Sequence, residues 1–304
     1  MLSIYVIGCG GIGGFVIDRL PGVLSDLFLD ALEKTITKAQ FEKHLSNFGN
    51  EVVPSLADRI VLIDGDEFSP RNSLRQGYGS GSKLERRLYD LDKKVVRNLY
   101  LRGTSIVGVN QYLAPWNMEK VIPHHPVRNP HNAGGIMADA ASTQVQLFEK
   151  TYMGQRDMPV IFVCVDNVKT RYEVAKYAET FDNVLLINGG NEKTTGHVTI
   201  YERRDGKALD PNLYEVYPNI TEDADLRPDE EDPCTHVAPK HDQVETTNDM
   251  IADIMVSDFS RWVREGLSTF GKNKDKRINE KLLDFDTGHM SPLFHPTRKS
   301  QKGK

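Results

Sequence analysis

The segment MLSIYVIGCGGIGG at residues 1–14 decides the fold of this chain. Its apolar and β-branched stretch at residues 4–7 predicts a short buried strand. The strand runs directly into GCGGIGG, where Gly8, Gly10 and Gly13 stand in a G-x-G-x-x-G register. The apolar residues that come next are spaced as on the buried face of a helix. A strand, a glycine-rich turn and a helix in this order are typical of a nucleotide-binding unit.

Glycines suit this turn because backbone N–H groups must approach a phosphate without a Cβ atom in the way. The N-terminus of the following helix adds aligned N–H dipoles that favour an anion. We therefore predict a nucleotide-binding loop that contains Gly8, Gly10, Gly11 and Gly13. The alternative is a glycine-rich strand-to-helix turn that binds no ligand.

The composition is that of a soluble globular protein, with 304 residues, 39% of them hydrophobic and 27% charged. The net charge of −5 argues against a nucleic-acid partner. No apolar run approaches the roughly 18 residues of a membrane span, and the N-terminus lacks the features of a signal peptide. Three cysteines, Cys9, Cys164 and Cys234, make no disulfide framework. We therefore expect a cytoplasmic protein without a membrane or nucleic-acid partner.

Further apolar runs along the chain predict the rest of a sheet. They lie at residues 59–63, 105–109, 160–165, 184–187 and 197–201. The run at 160–165 is almost continuously apolar, which is typical of a strand covered on both faces. The last two runs are close enough to pair as a hairpin. The fold class is therefore predicted to be α/β, a Rossmann-like, doubly wound, mostly parallel sheet with antiparallel C-terminal strands.

We predict one domain over residues 1–285 and a disordered tail at 286–304, where the sequence has little pattern and ends in lysines. The interval between the first two strands is unusually long, and apolar residues recur in it at helical spacing. This predicts a helical insertion at 21–58, which serves either as extra packing or as a partner surface. Residues 203–240 are polar and contain a strong acidic run, which predicts a solvated loop.

Polar side chains directly follow two of the predicted strands. Asp64 and Asp66 come after the second strand, and Asp166 and Asn167 come after the strand at 160–165. Ligands bind beyond the carboxyl ends of strands in open α/β sheets, so these groups are expected to line one site. This is the layout expected for ATP, which needs donors for its phosphates, an acid for its ribose, cations for its triphosphate and an acid for Mg²⁺. Between these blocks lie Asn72, Arg75, Gln76 and Lys94, which are candidates to contact the phosphates.

Together these motifs resemble those of the ThiF/MoeB/HesA family, the relatives of ubiquitin-activating enzymes. Besides the glycine loop, residues 64–66 and 72–76 are similar to its D-x-D and N-L-x-R-Q blocks, with Ser73 in place of the leucine. Lys94 and the valine after it resemble the lysine-valine pair that opens the family's next helix, and residues 166–171 resemble its D-N-x-x-x-R. The likeness spans about residues 1–270, with gaps.

The resemblance implies an ATP-dependent adenylyltransferase. The family activates the C-terminal glycine of a ubiquitin-like or sulfur-carrier-like protein as an acyl adenylate and releases pyrophosphate. By the same resemblance, Arg75 and Lys94 are catalytic residues that bind the phosphates, with Lys93 as a competing choice for Lys94. Asp166 is implied to carry Mg²⁺. The residues implied to bind ATP are Gly8, Gly10, Gly11, Gly13, Asp64, Asp66, Asn72, Arg75, Gln76, Lys94 and Asn167.

The resemblance also bears on assembly, metals and a second catalytic step. Relatives dimerise, so we expect a homodimer, and the expected partner is a small ubiquitin-fold protein with a C-terminal glycine. The family's paired C-x-x-C motifs are absent, so we expect no structural zinc. Some relatives pass the activated tail to a cysteine. Cys234 lies in the segment that resembles the family's crossover loop, at 203–240, and is either the nucleophile for such a step or an inert loop cysteine.

Two other functions are compatible with part of the sequence. The glycine loop alone fits a NAD-dependent oxidoreductase, although the acid would then lie unusually far along the chain and Arg75 would have no role. The other alternative is a non-catalytic ThiF-like binding subunit, against which the presence of Arg75, Lys94 and Asp166 argues.

Overall fold

The computed structural model describes most of the predicted sheet and the helices that cover it. The described residues are 2–35, 37, 39, 56–68, 81–101, 103–124, 158–191, 195–220, 245–264 and 278–296. The strands are β1 (Leu2–Ile7), β2 (Ala57–Ile63), β3 (Ser105–Val109), β4 (Met158–Val163), β5 (Val184–Asn191), β6 (Thr195–Arg204), β7 (Lys207–Ala208), β8 (Glu280–Asp284) and β9 (His289–Leu293). The α-helices are α1 (Gly11–Thr35), α2 (Lys83–Arg97), α3 (Met118–Val121), α4 (Val168–Ala178), α5 (Leu213–Val216) and α6 (Glu245–Arg264), and a 3₁₀ turn spans Leu99–Leu101.

The strands form one mixed sheet in the order β3-β2-β1-β4-β5-β6-β8-β9, with β7 paired to β6. The first five in this order are parallel to one another. The strands that follow β5 are antiparallel to their neighbours. The predicted fold class is therefore confirmed. Because the chain proceeds outward in opposite directions from β1 and from β4, the point between these two strands is the topological switch point of the sheet.

Both faces of the sheet are covered, as the apolar central strands predicted. Successive residues of β1 point to opposite faces, so Ile4 and Val6 enter one hydrophobic core and Tyr5 and Ile7 enter the other. The first core is completed by apolar residues of α1, α2 and α6, and the second by residues of α3, α4 and α5. None of the described helices is long and apolar enough to cross a membrane.

Residues 21–35 are helical, as predicted, but they are the second half of α1 and not a helix separate from it. Pro21 lies inside the helix and removes one backbone donor without ending it. The buried stripe continues through Leu20, Leu24 and Leu27, and α1 packs along α6. Continued burial of this stripe stabilises the helix beyond the proline. Residues 40–55 of the predicted insertion lie outside the described residues.

The C-terminal segments hold more structure than their sequence predicted. A disordered tail was expected from residue 286, but β9 at His289–Leu293 pairs with β8 in an antiparallel hairpin. The short edge strand has mostly exposed side chains and contains a proline, so it lacks the alternation that identifies a strand. The predicted loop at 203–240 also begins with β6, β7 and α5, and Asp210 and Asn212 are fully buried there. Residues 221–240 and 297–304 lie outside the described residues.

Candidate functional site

A cleft of about 490 Å³ opens at the carboxyl ends of the parallel strands, across the switch point between β1 and β4. Its wall is formed by the segments that follow β1, β2, β3 and β4, by the end of β5, and by residues of α2, α4 and α6. A volume of this size suits a small-molecule ligand, and the switch point is where open α/β sheets bind theirs.

The glycine loop forms the floor of the cleft, which Gly8, Gly10 and Gly11 line. Gly8 has a φ of +87°, and a Cβ atom there would lie 2.9 Å from the carbonyl oxygen of Cys164. Gly13 turns inward instead, and a Cβ atom on it would lie 1.8 Å from the carbonyl oxygen of Gly8. Gly8 therefore allows the turn and its close approach to β4, whereas Gly13 allows α1 to begin directly against the loop.

Asp64 braces this loop from the end of β2. Its Oδ2 accepts a 2.6 Å hydrogen bond from the backbone N–H of Cys9, and its Oδ1 accepts one of 2.7 Å from the N–H of Asp66. The carboxyl is buried yet still lines the cleft. Burial raises the pKa of Asp64 above its usual value, although the two backbone donors act in the opposite direction. The predicted ribose ligand is thus also a support of the glycine loop.

Asp66 makes two side-chain contacts within the cleft. Its Oδ2 lies 3.0 Å from the Nζ of Lys83, and its Oδ1 accepts a hydrogen bond from the hydroxyl of Tyr112. Burial alone would raise the pKa of Asp66, but the hydrogen bonds from Tyr112 and Lys83 outweigh it, so the pKa lies below its usual value. The carboxylate of Asp66 therefore orients Lys83 and Tyr112, although the sequence predicted it as a direct ATP ligand.

Among the described lysines, Lys83 lines the cleft and Lys94 does not reach it. Lys83 is the first residue of α2, and this helix runs away from the carboxyl edge of the sheet. Lys94 comes 11 residues later, about 16 Å along the helix axis at 1.5 Å per residue. There its Nζ pairs with Asp18 of α1 at 2.7 Å, while the Nζ of Lys93 lies over the ring of Tyr89. The structure therefore does not bring Lys94 or Lys93 to the other predicted site residues.

A local signal in the sequence marks where α2 begins. Ser82 is the N-cap residue, and its Oγ accepts a 3.3 Å hydrogen bond from the backbone N–H of Glu85. Serine followed by glutamate three residues later is a signature of a helix N-terminus. Since a crossover helix after a parallel strand starts at the carboxyl edge, this signature could have identified Lys83 as the residue next to the site.

Asp166 and Asn167 follow β4 and line the opposite side of the cleft. Asp166 is exposed to the cleft, whereas Asn167 caps α4 by accepting a 2.8 Å hydrogen bond from the N–H of Thr170. In the part of the chain that the structure describes, no group of three or more His, Cys, Asp or Glu side chains is arranged to hold a metal ion. Mg²⁺ keeps water and phosphate ligands and is often held by one or two carboxylates, so Asp166 fits the role of its protein ligand.

Arg171 anchors the back of the cleft. It is 9% exposed, and its Nε donates a 2.8 Å hydrogen bond to the carbonyl oxygen of Val165. One of its terminal nitrogens lies 3.4 Å from the Nε2 of His197, on β6. Burial, together with the positive charge of Arg171, lowers the pKa of His197 to about 3. His197 is therefore neutral at physiological pH and accepts from Arg171, which ties the loop after β4 to the antiparallel part of the sheet.

Two asparagines that the sequence reasoning missed close the far wall of the cleft. Asn191 ends β5, and its Nδ2 donates a 3.1 Å hydrogen bond to the Oδ1 of Asn248 on α6. Asn248 lies over the glycine loop, since a Cβ atom on Gly11 would be 2.5 Å from its Nδ2. The strand β5 continues beyond the apolar run at 184–187, through Gly189 and Gly190, to Asn191. The pairing of distant segments that creates this wall leaves no local signal.

Several predicted site residues, Asn72, Arg75, Gln76 and Cys234, lie outside the described residues. The other two cysteines are buried. Burial, reinforced by the neighbouring carboxylate of Asp64, raises the pKa of Cys9, and burial raises that of Cys164 to about 12. Neither thiol is therefore a ready nucleophile.

Comparison with known proteins identifies the fold. No family model and no curated protein matches the sequence. Among solved structures, E. coli MccB with MccA-N7isoASN matches at 15% identity and a TM-score of 0.51, covering 97% of this chain and 65% of MccB. This chain shares the fold of MccB. E. coli MccB with ATP matches at 14% identity and a TM-score of 0.50, covering 96% of this chain and 63% of MccB.

A third match bears on what MccB does. The microcin C7 biosynthetic enzyme MccB in complex with N-formylated MccA has 13% identity and a TM-score of 0.50, and the match covers 96% of this chain and 64% of MccB. This chain thus spans a little under two-thirds of the length of MccB. Identities of this size establish a common fold, whereas residue roles must come from the site of this chain itself.

Proposed function

We propose that this chain binds ATP in the cleft and uses it to adenylate a carboxylate. The observation that carries the proposal is the convergence at one cleft of the glycine loop, the acid at the end of β2, a lysine and an exposed acid. These residues are, in that order, Gly8, Asp64, Lys83 and Asp166. Each of them meets one requirement for binding a nucleoside triphosphate. In the same order, these are backbone donors for the phosphates, an acceptor for the ribose, a cation and a ligand for Mg²⁺. The solved complex of MccB with ATP adds support from a protein of the same fold.

Different residues of the cleft bind different parts of ATP in this proposal. Backbone N–H groups of the glycine loop and the N-terminus of α1 face the phosphates, and Asp64 accepts from the ribose hydroxyls. Lys83 is held 3.0 Å from Asp66 at the rim, where its ammonium group can turn to a phosphate oxygen. A cation at this place stabilises the charge that develops on the departing pyrophosphate. Asp166 would hold Mg²⁺, which supplies charge neutralisation of the phosphate oxygens when bound.

The reaction needs no nucleophile from the protein. An oxygen of the substrate carboxylate attacks the α-phosphorus of ATP and forms the acyl phosphate bond of the adenylate. The bond between the α-phosphorus and the oxygen that bridges to the β-phosphorus breaks, and pyrophosphate leaves with that electron pair. The protein contributes orientation and charge stabilisation, which are the main sources of catalysis in transfers to phosphorus.

The proposed carboxylate is the C-terminus of a polypeptide. The resemblance to the ThiF/MoeB/HesA family points to a ubiquitin-fold protein with a C-terminal glycine. MccB, which has the same fold, forms a complex with N-formylated MccA, so a partner other than a ubiquitin-fold protein is the alternative. Under this proposal, Asn72, Arg75 and Gln76 keep their implied roles as ATP ligands. Cys234 remains the proposed acceptor of the activated tail, and the enzyme is proposed to act as a homodimer.

Product analysis tests the proposal directly. The protein is incubated with ATP, Mg²⁺ and a pool of synthetic peptides that end in a glycine carboxylate, and the same peptides with C-terminal amides serve as the control. Adenylation yields pyrophosphate and an acyl adenylate, which releases AMP on hydrolysis, with the acids, and none of these products with the amides. Formation of ADP and a phosphorylated peptide would instead identify a phosphoryl transfer to the substrate. Calorimetry with NAD in place of ATP tests the oxidoreductase alternative. ATP binding without release of pyrophosphate from ATP in the presence of any of the peptides favours the binding-subunit alternative.

Asp166 gives the proposal a second test. Asp166→Ala removes the exposed carboxylate proposed to hold Mg²⁺, so pyrophosphate release should be abolished while the cooperative unfolding transition is retained. Near-normal release by a folded Asp166→Ala protein would contradict the assignment.

A further inference from the structure

Tyr112 presents an aromatic ring to the cleft. The ring is 68% exposed, yet its hydroxyl is fixed by a hydrogen bond to the carboxylate of Asp66. The ring lies beside Gly65, where an added Cβ atom would be 3.0 Å from the Cδ2 of Tyr112. A large apolar surface is therefore held at the site with little freedom to move.

The loop that carries Tyr112 is also held in place. The side-chain amide of Asn117 donates a 2.9 Å hydrogen bond to the carbonyl oxygen of Tyr112 and accepts one of 2.8 Å from the N–H of Ala114. The neighbouring Leu113 is 7% exposed and also lines the cleft. An exposed ring with a fixed backbone and a fixed hydroxyl loses little entropy when a ligand packs on it.

The position of the ring matches one end of the proposed nucleotide. With the phosphates at the glycine loop and the ribose at Asp64, the base extends away from the loop, toward the segments that follow β2 and β3. Gly65, Tyr112 and Leu113 form this side of the cleft, and the absence of a side chain on Gly65 leaves the ring close to the path of the nucleoside. Aromatic rings bind bases through their faces.

We propose that Tyr112 is the stacking platform for the nucleobase. This inference rests on the proposed function, which places a nucleotide in the cleft. Stacking on a ring face is tolerant of base identity, so Tyr112 contributes affinity for any nucleobase and for nucleotides over bare polyphosphate. The carboxylate of Asp66 contacts both the hydroxyl of Tyr112 and the ammonium group of Lys83. One carboxylate therefore links the proposed base-binding side of the cleft to its proposed phosphate-binding side.

Calorimetry with three ligands separates these two roles of Tyr112. The wild type, Tyr112→Phe and Tyr112→Ala are titrated with ATP, AMP and inorganic tripolyphosphate. Tyr112→Ala should weaken both ATP and AMP by about tenfold or more, because it removes the ring, and should leave tripolyphosphate binding unchanged. Tyr112→Phe keeps the ring and should retain AMP affinity within about threefold. Trp116→Ala is the matched control, since Trp116 is an 87% exposed aromatic on the same loop that does not line the cleft.

The outcomes that overturn the inference differ from those that overturn the proposed function. Wild-type protein that fails to bind ATP overturns both. If the wild type and Tyr112→Ala bind ATP equally tightly, the stacking role alone is overturned. An equal loss of tripolyphosphate binding in Tyr112→Ala also overturns it, because the tyrosine would then act through Asp66 and Lys83. Equal thermal midpoints of Tyr112→Ala and the wild type show that the losses are not caused by unfolding.

Discussion

The backbone N–H of Cys9 donates a 2.6 Å hydrogen bond to the carboxylate of Asp64, which joins the glycine loop after β1 to the end of β2. The two residues are 55 positions apart in the chain. The contact fixes the loop before any ligand arrives and leaves Asp64 at the wall of the cleft. One carboxylate therefore serves both the architecture of the site and the proposed binding of ribose.

Asp64→Asn should damage both functions of this carboxylate. The substituted amide presents an NH₂ group to one of two backbone donors, which leaves a buried N–H without an acceptor and costs about 1–3 kcal/mol of unfolding free energy. ATP affinity should fall by about tenfold or more, because the loop and the ribose contact are both affected. Urea unfolding and calorimetry measure the two effects. Asp26→Asn, at an exposed position of α1, is the control and should stay within about 0.5 kcal/mol of the wild type.

Lys83→Ala and Lys94→Ala test which lysine serves the site. Lys83 lines the cleft, so its removal should lower pyrophosphate release by about tenfold or more, through loss of charge stabilisation in the transition state. Lys94 is part of an exposed pair with Asp18, so its removal should change stability by less than about 1 kcal/mol and leave turnover unchanged. The reverse result would restore the assignment made from the sequence.

Gly13→Ala tests the close approach of α1 to the glycine loop. The added Cβ atom would lie 1.8 Å from the carbonyl oxygen of Gly8, so the loop must move. We expect a destabilisation of about 1–3 kcal/mol and loss of ATP binding. Gly22→Ala is the matched control, because its Cβ atom meets nothing within 4 Å in the same helix, and it should stabilise the protein by up to about 1 kcal/mol. Normal ATP binding by Gly13→Ala would show that this approach is dispensable.

His197 predicts a dependence of stability on acidity. Its pKa falls from 6.5 to about 3 on folding, so between these values the unfolded chain binds a proton that the folded chain does not. The free energy of unfolding therefore rises with pH across this window, and the contribution is complete above pH 6.5 and lost as the pH falls toward 3. His197→Gln should reduce the slope between pH 5 and pH 6.5 by less than about 1.4 kcal/mol per pH unit, because one histidine changes the number of bound protons by at most one. Urea unfolding at several pH values measures this slope, and an unchanged slope would contradict the assignment.

Local patterns determined the centre of the fold. The strand at β1, the glycine loop and the start of α1 are contiguous, so their hydrophobic period and glycine register were sufficient to predict them. Asp64 and Asp166 were also predictable, since each immediately follows a buried strand and all parallel strands end at the same edge of the sheet.

Tertiary packing decided what local patterns left ambiguous. A proline inside a helix removes a backbone hydrogen bond, but burial of the same helical stripe against α6 carries α1 past Pro21. The edge strand β9 has no apolar alternation of its own, and its pairing with β8 supplies the backbone hydrogen bonds that define it. Such elements are stabilised by contacts with segments that are distant in the chain, and their own sequence patterns are too weak to predict them.

The candidate site likewise combines residues that the sequence predicts with residues that only the tertiary structure brings together. The sequence by itself determined that a glycine loop and two acids meet at one edge of a parallel sheet, because these residues sit at the ends of strong strands. The tertiary structure decided which lysine joins them, because the direction of α2 puts Lys83 at that edge and Lys94 about three turns away. It also brought Tyr112 and Asn248 to the cleft from a loop and a distant helix. Their positions follow from the packing of separate elements against the sheet, and no spacing along the chain encodes them.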